Sequence, residues 1–164
     1  MKTALVIIFY DLEDHINKPL FLEIAKELRN TELCLVNNNS TDHTYYLLKD
    51  IKEDCKNVSV INIKRKKSEA NAVKAGARFM INEFDINSIG YINANAIGGN
   101  FLTLDVLLRA LRDHQDLLKE DQTYILKPYE KKHALMHKLY AITDRINELD
   151  PEMAIGGLVY NDNL

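Results

Sequence analysis

Residues 4–9 read Ala-Leu-Val-Ile-Ile-Phe, apolar at every position and rich in β-branched side chains. A strand with one wet face alternates apolar and polar residues, whereas a strand without a polar position must be covered on both faces. The run therefore predicts a central strand of a parallel sheet layered by helices. It is too short to cross a bilayer. It also lacks the small-residue cleavage site of a secretory signal and passes directly into Asp11 and Glu13, so it reads as part of the fold. No other segment predicts a membrane span.

The pattern that follows alternates between strand and helix. Pro19 opens a helix to about Asn30, with Leu20, Ile24, Ala25 and Leu28 at helical spacing. Leu33 to Val36 predicts a second strand. A helix carrying Tyr46, Leu47 and Ile51 inward follows the loop after it. Val58 to Ile63 predicts a third strand, and Ser68 begins a helix with Ala70, Val73, Ala77, Phe79 and Met80 facing the core. Ile89 to Ile92 predicts a fourth strand, running into Asn93-Ala94-Asn95. After Gly98-Gly99-Asn100, a helix from about Leu102 to His114 carries Leu104, Val106, Leu107, Leu108 and Leu111. Thr123 to Leu126 predicts a fifth strand. A long amphipathic helix from about Lys132 to Leu149 closes the order, with Leu135, Leu139, Ile142 and Ile146 on one face. The fold class is thus a three-layer α/β/α arrangement around a mostly parallel sheet.

The 164 residues are 46% hydrophobic and 27% charged, which predicts one folded domain over 1–164, with 151–164 as a loosely packed tail. A net charge of -3 excludes strong attraction to nucleic acid or to an acidic membrane surface. Cys34 and Cys55 show no metal-type spacing, and Cys34 lies in the apolar run Leu33-Cys34-Leu35. Cys34 reads as a small buried hydrophobe, and a reduced, cytoplasmic compartment fits best.

Ligands of open parallel sheets bind at the carboxyl ends of the strands. That rule selects the loops at Tyr10-Asp11, Asn37 to Asp42, Lys64 to Ser68 and Asn93 to Gly99. The strongest local pattern is Asn37-Asn38-Asn39-Ser40-Thr41-Asp42. Thr41 or Asp42 can cap the next helix, and Asn39 can take the left-handed backbone of a tight turn; the pattern is equally that of a well-capped turn with no ligand. Lys64-Arg65-Lys66-Lys67 can neutralise a diphosphate, or is a solvated charged loop. His133 and His137 are four residues apart, with no carboxylate or cysteine at ligand spacing, and read as a surface pair.

Val36 to Thr44 resembles the Val-Asp-Asp-Gly-Ser-Thr-Asp-Gly-Thr turn of family-2 glycosyltransferases. Three further segments match in order. Leu5 to Glu13 resembles the first strand of that family, with Tyr10 and Glu13 matching, Asp11 in place of Asn and Ile8 in place of Pro. Ala70 to Gly76 resembles its Gly-Ala-Ala-Leu-Arg-Ala-Gly helix. Ile89 to Asn95 resembles the strand that leads into its Asp-X-Asp motif. The resemblance covers about the first hundred residues, with a fainter echo of polyprenol-phosphate sugar synthases at Asp150-Pro151 and Gly156-Gly157.

The resemblance implies a GT-A fold and a UDP- or GDP-sugar as ligand. It implies Tyr10, Asp11, Glu13, Asn37, Asn38 and Lys67 at the nucleotide, and Asn93 and Asn95 at the diphosphate. The acceptor it implies is a polysaccharide or a lipid-linked carrier. It also implies Mg²⁺ or Mn²⁺, but Asn93 and Asn95 stand where the family has two metal-binding aspartates, and neutral amides are poor ligands for such cations. No metal is therefore expected. Asn37 and Asn38 likewise replace aspartates, though an amide can still hydrogen-bond a base or a ribose. The loop that usually reads Asn-X-Gly-Lys is Lys66-Lys67-Ser68-Glu69 here. No catalytic residue is assigned; Asp150 and Glu152 are late acidic candidates for a base. Three readings stay open: a glycosyltransferase, a non-catalytic relative binding nucleotide, sugar or protein, and an unrelated doubly wound nucleotide-binding domain. The exposed face of the C-terminal helix is compatible with a homodimer and equally with packing on the sheet; the non-catalytic reading allows an assembly with a partner transferase.

Overall fold

The computed structural model describes residues 2–96, 104–113 and 139–141. The strands are β1 (Lys2–Phe9), β2 (Thr31–Asn38), β3 (Val58–Ile63), β4 (Ile86–Asn93) and β5 (Leu139–Ala141). The helices are α1 (Lys18–Glu27), α2 (Thr44–Asp54), α3 (Glu69–Glu83) and α4 (Leu104–Asp113), with a short 3-10 turn at Glu13–His15. The sheet order is β3-β2-β1-β4-β5, and its described pairs are all parallel.

The unbroken apolar run behaves as its composition dictates. Leu5, Ile7 and Phe9 face one layer, where they pack with Leu20, Phe21 and Ile24 of α1, Leu48 and Ile51 of α2, and Leu104, Leu108 and Leu111 of α4. Ala4, Val6 and Ile8 face the other layer, against Ala72, Val73, Ala77 and Met80 of α3. Each fully buried Leu, Ile or Phe contributes about 1.5–3 kcal/mol of transfer free energy. The chain runs leftward from β1 to β2 and β3, then crosses to β4 on the other side of β1. A constant crossover hand sends α3 to the face opposite α1 and α2 when that direction reverses.

Local signals act as expected at the helix starts. Asn17 caps α1 by accepting from the Leu20 N–H at 3.2 Å, with Pro19 in the first turn. Ser68 caps α3 by accepting from the Asn71 N–H. The far end of α1 is secured from a distance. Asn57 Nδ2 lies 2.9 and 3.2 Å from the carbonyl oxygens of Ala25 and Leu28, acceptors at the helix end, and 3.1 Å from that of Thr31 at the start of β2.

Three expectations are corrected. Leu139–Ala141 is a strand paired with Ile89–Tyr91 of β4, so the helix expected over Lys132 to Leu149 does not run through it. A short apolar stretch containing a tyrosine fits either period, and a vacant sheet edge decides for the strand. Tyr46, expected inward, is 62% exposed, and Leu48 takes the core position of α2. Ala70 is exposed too, because it lies in the first turn of α3 and the packed face begins at Ala72 and Val73. The strand expected at Thr123 to Leu126 and the residues His133, His137, Asp150 and Glu152 lie outside the described residues, as does the side chain of Leu107. Among the described residues, no helix is long and apolar enough to cross a membrane.

Candidate functional site

In this strand order, the crevice between the carboxyl ends of β1 and β4 lies where the chain reverses direction, the position at which open α/β sheets bind ligands. Tyr10 leaves β1 there, and Asn93 and Asn95 leave β4. The ladder between the two strands continues past its last regular pair through an Ala94 N–H bond to the Ile8 carbonyl at 2.9 Å. Asn95 then takes it one step further with its side chain. Its Oδ1 accepts from the Tyr10 N–H at 2.9 Å, and its Nδ2 donates to the Tyr10 carbonyl at 2.6 Å. Asn93 Oδ1 accepts from the Asn95 N–H at 3.1 Å, while its Nδ2 donates to Glu69 Oε2 at 2.7 Å.

The end of β2 is wired in the same way. Asn38 Oδ1 accepts from the Lys67 N–H and Asn38 Nδ2 donates to the Lys67 carbonyl, each at 2.9 Å. The next residue back, Lys66, sets its ammonium 3.4 Å from the centre of the Tyr10 ring, a cation–π contact. Asn37 points to the opposite face, where it lies in register with Asn62 of β3 and donates to its Oδ1 at 2.8 Å. Asn37 is 2% exposed, and its Oδ1 is the one buried side-chain polar atom among the described residues with no hydrogen-bond partner. A buried acceptor left unpaired costs about 1–3 kcal/mol.

Asp11 and Glu13 belong to a second structure, a zipper between the loops after β1 and β2. Three successive N–H groups of the first loop reach side chains of the second: Asp11 to Ser40 Oγ at 3.0 Å, Leu12 to Thr44 Oγ1 at 2.8 Å, and Glu13 to Asp42 Oδ2 at 3.1 Å. In return, Asp11 Oδ1 accepts from the Thr41 N–H at 2.6 Å, and Glu13 Oε2 accepts from the His43 N–H at 2.7 Å. The His43 ring nitrogen also lies 2.9 Å from Glu13 Oε2. The carboxylates of Asp11 and Glu13 thus face the neighbouring loop. Two residues take left-handed backbone here, Asp11 at φ 47° and Asn39 at φ 62°.

Asp42 serves both the zipper and the start of α2, accepting from the Thr44 N–H at 2.9 Å. Burial pushes its carboxyl up, but the hydrogen bonds from Thr44 and from the main chain of Glu13 outweigh this and hold it below its ordinary value. The residue at the helix boundary is His43, whose side chain makes no cap bond, so the capping role expected of Thr41 or Asp42 is carried by Asp42 from one position earlier.

The eight expected site residues therefore fall into two groups and one outlier. Tyr10, Asn38, Lys67, Asn93 and Asn95 form a connected arc across the carboxyl ends of β2, β1 and β4. Asp11 and Glu13 lock the adjacent loops, and Asn37 stands apart on the other face of β2. Sequence reading missed Asn62, which looked like the polar position of an alternating strand, and Glu69, noted only as a departure from a loop pattern. The strand register and the start of α3 bring them to Asn37 and Asn93. Among the described residues, no group of three or more His, Cys, Asp or Glu could hold a metal ion.

The family description Glycosyl transferase family 2 matches residues 5–86, half of the 164-residue chain. The chain belongs to this family. The match spans β1 to the start of β4 and so includes both zippered loops, the asparagine turn and α3. No curated protein matches the chain. Among solved structures, the mannosyltransferase PcManGT from Pyrobaculum calidifontis, in complex with GDP-Man and Mn²⁺, is similar over 82% of this chain at 15% identity, with a TM-score of 0.46. This glycosyltransferase-like chain spans 39% of the length of that protein. Its parallel sheet with helices on both faces is the architecture that the GT-A resemblance implies.

Proposed function

We propose that this family-2 chain binds a nucleotide-sugar along the carboxyl edge of its sheet, with the base at the end of β2 and the diphosphate beside Lys66 and Lys67. The observation that carries the reading is the Lys66 ammonium held 3.4 Å from the centre of the Tyr10 ring at the switch point, where the ends of β1, β2 and β4 are wired together. Asn37 and Asn38 lie in the turn that the family resemblance assigns to the base.

The divalent cation expected for the family does not suit the donor set at Asn93 and Asn95. Both residues are neutral amides, and both amide oxygens already accept main-chain N–H groups. Hard cations favour charged oxygens with free lone pairs. The Lys66 ammonium, held at the switch point, supplies positive charge there instead. Transfer of the sugar to a polysaccharide or lipid-linked acceptor is the activity the family implies. The lack of a free carboxylate at positions 93 and 95 favours the second reading, a non-catalytic binder. The free, buried thiols of Cys34 and Cys55 support a reduced, cytoplasmic setting.

Calorimetric titration with UDP, GDP and their sugars, with and without Mn²⁺, tests the proposal. The expected result is binding that Mn²⁺ does not strengthen and that Lys66→Ala weakens about tenfold, the loss of one charge-assisted contact. Turnover of a sugar nucleotide selects the enzyme over the non-catalytic binder. Absence of binding to every nucleotide overturns both, and binding that requires Mn²⁺ overturns the metal-free reading.

A further inference from the structure

Asn38 and Asn95 make the same unusual contact. Each uses both ends of its side-chain amide on the N–H and carbonyl of a single residue, Asn38 on Lys67 and Asn95 on Tyr10. The main-chain partners fix which end of each amide is oxygen and which is nitrogen, because an N–H only donates and a carbonyl only accepts. The two pairs are linked, since Lys66, next to Lys67, sits on the ring of Tyr10. An arc thus runs from β2 through the loop before α3 and the end of β1 to the end of β4.

We infer that Asn38 and Asn95 are positioning residues that hold Lys66 over Tyr10, and that these positions require an amide because a carboxylate cannot make the contact. A carboxylate accepts at both oxygens. In Asn95→Asp, one oxygen keeps the Tyr10 N–H, but the other is pressed against the Tyr10 carbonyl, where the amide donates across 2.6 Å. The charged form then repels and the carbonyl loses its donor; only a protonated carboxyl restores it. The asparagines at these two positions are thus functional replacements for aspartate and not simple losses of metal ligands. This inference stands on the hydrogen-bond geometry and holds whichever ligand occupies the crevice.

The sign of the pH dependence follows. The introduced carboxyl is harder to ionise in the fold than in the unfolded chain, so the variant's deficit is full at neutral pH and fades as pH falls through the raised carboxyl range. Among the described residues, the charged side chains in contact with this arc are Lys66 on the Tyr10 ring and Glu69 on Asn93, with Asp11 next to Tyr10. Lys66 favours the ionised form and opposes the effect. Glu69 and Asp11 act in its direction; Asp11 already accepts from Thr41, and Glu69→Gln removes the other contribution.

The test compares thermal unfolding of the whole chain, its Asn95→Asp and Asn95→Ala variants, and Asn95→Asp combined with Glu69→Gln, at pH 7 and pH 4. The wild type at each pH is the reference, with Glu69→Gln alone as reference for the combined variant. Asn95 is exposed, so water takes up part of the lost contact, and Asn95→Asp is expected to melt roughly 1–4 °C lower at pH 7, with a deficit that narrows at pH 4 and narrows also with Glu69→Gln. The Asn95→Ala deficit stays constant. In NMR spectra, the upfield ring shift of the Lys66 side-chain protons over Tyr10, identified by its loss in Tyr10→Leu, disappears in Asn95→Asp at neutral pH and returns on acidification. Asn38→Asp shows the same signs at the other pair and stands in for Asn95→Asp if that variant does not fold. An aspartate variant as stable as the wild type at pH 7, or equally deficient at both pH values, overturns the inference.

Discussion

A Cβ added to Gly76 of α3 would lie 2.6 Å from Val6 Cγ1 of β1 and 3.1 Å from Val36 Cγ2 of β2. The helix therefore approaches the middle of the sheet as closely as a backbone can. Both neighbours are β-branched and stiff about χ1, so neither can turn aside cheaply. At an ordinary helix position, glycine to alanine stabilises by about 1 kcal/mol. Here Gly76→Ala is expected to destabilise by about 1–3 kcal/mol through overpacking. Urea unfolding measures it, and a gain in stability would show that α3 can withdraw from the sheet without loss.

Asn39 offers a test of backbone strain alone. Its φ of 62° suits glycine and is tolerated by asparagine, but it disfavours a residue with an ordinary Cβ. Asn39→Gly is expected to leave stability within about 0.5 kcal/mol, whereas Asn39→Ala costs about 1 kcal/mol or more. Equal midpoints for the two variants in denaturant titrations would contradict this account of the turn.

Asp42 ties acid sensitivity to the zipper. Its carboxyl is held below the ordinary value in the fold, so it stabilises the protein above the unfolded carboxylate range and loses that contribution as pH falls. Asp42→Asn is expected to cost about 1 kcal/mol at neutral pH, as loss of a helix-start acceptor does. The gap from the wild type closes as the medium becomes acid. Stability curves that run parallel across the acid range would rule out Asp42 as a source of the pH dependence.

Thiol chemistry should be silent in the folded state. Burial pushes the Cys34 thiol up to about 12, and burial also raises that of Cys55, with Lys26 opposing and Asp54 adding to the effect. At pH 8, about one Cys34 in ten thousand is then a thiolate. A thiol reagent is expected to label neither residue appreciably until denaturant is added, after which both react. Rapid labelling of Cys34 under native conditions would mean that β2 opens far more readily than its burial allows.

The layers of this fold are legible in residue order because period and coverage are local properties. An apolar run such as Ala4 to Phe9 has one solution, and Pro19 and Ser68 mark their helix starts through nearest-neighbour chemistry. The turn at Asn37 to Asp42 was legible as a binding-edge loop for the same reason. The partners of its side chains were not. That Asn37 meets Asn62, or Asn95 meets Tyr10, depends on strand register and on which strands are neighbours, and no local pattern encodes either. Tyr46 and Leu139 failed differently. Each fits two periods, and the choice was made by which surface remained open for burial. The site was therefore readable as a set of loops, and its wiring was readable only in three dimensions.

The zipper between Asp11–Glu13 and Ser40–Thr44 bears on how this edge can be rebuilt. Each loop closes the other's main-chain donors with its own side chains. Grafting one loop from a relative would strand donors on both sides, even where the graft folds well in its parent. The two segments are separated by a helix and a strand, yet they form one exchangeable cassette, and a chimera that respects the pairing must carry both.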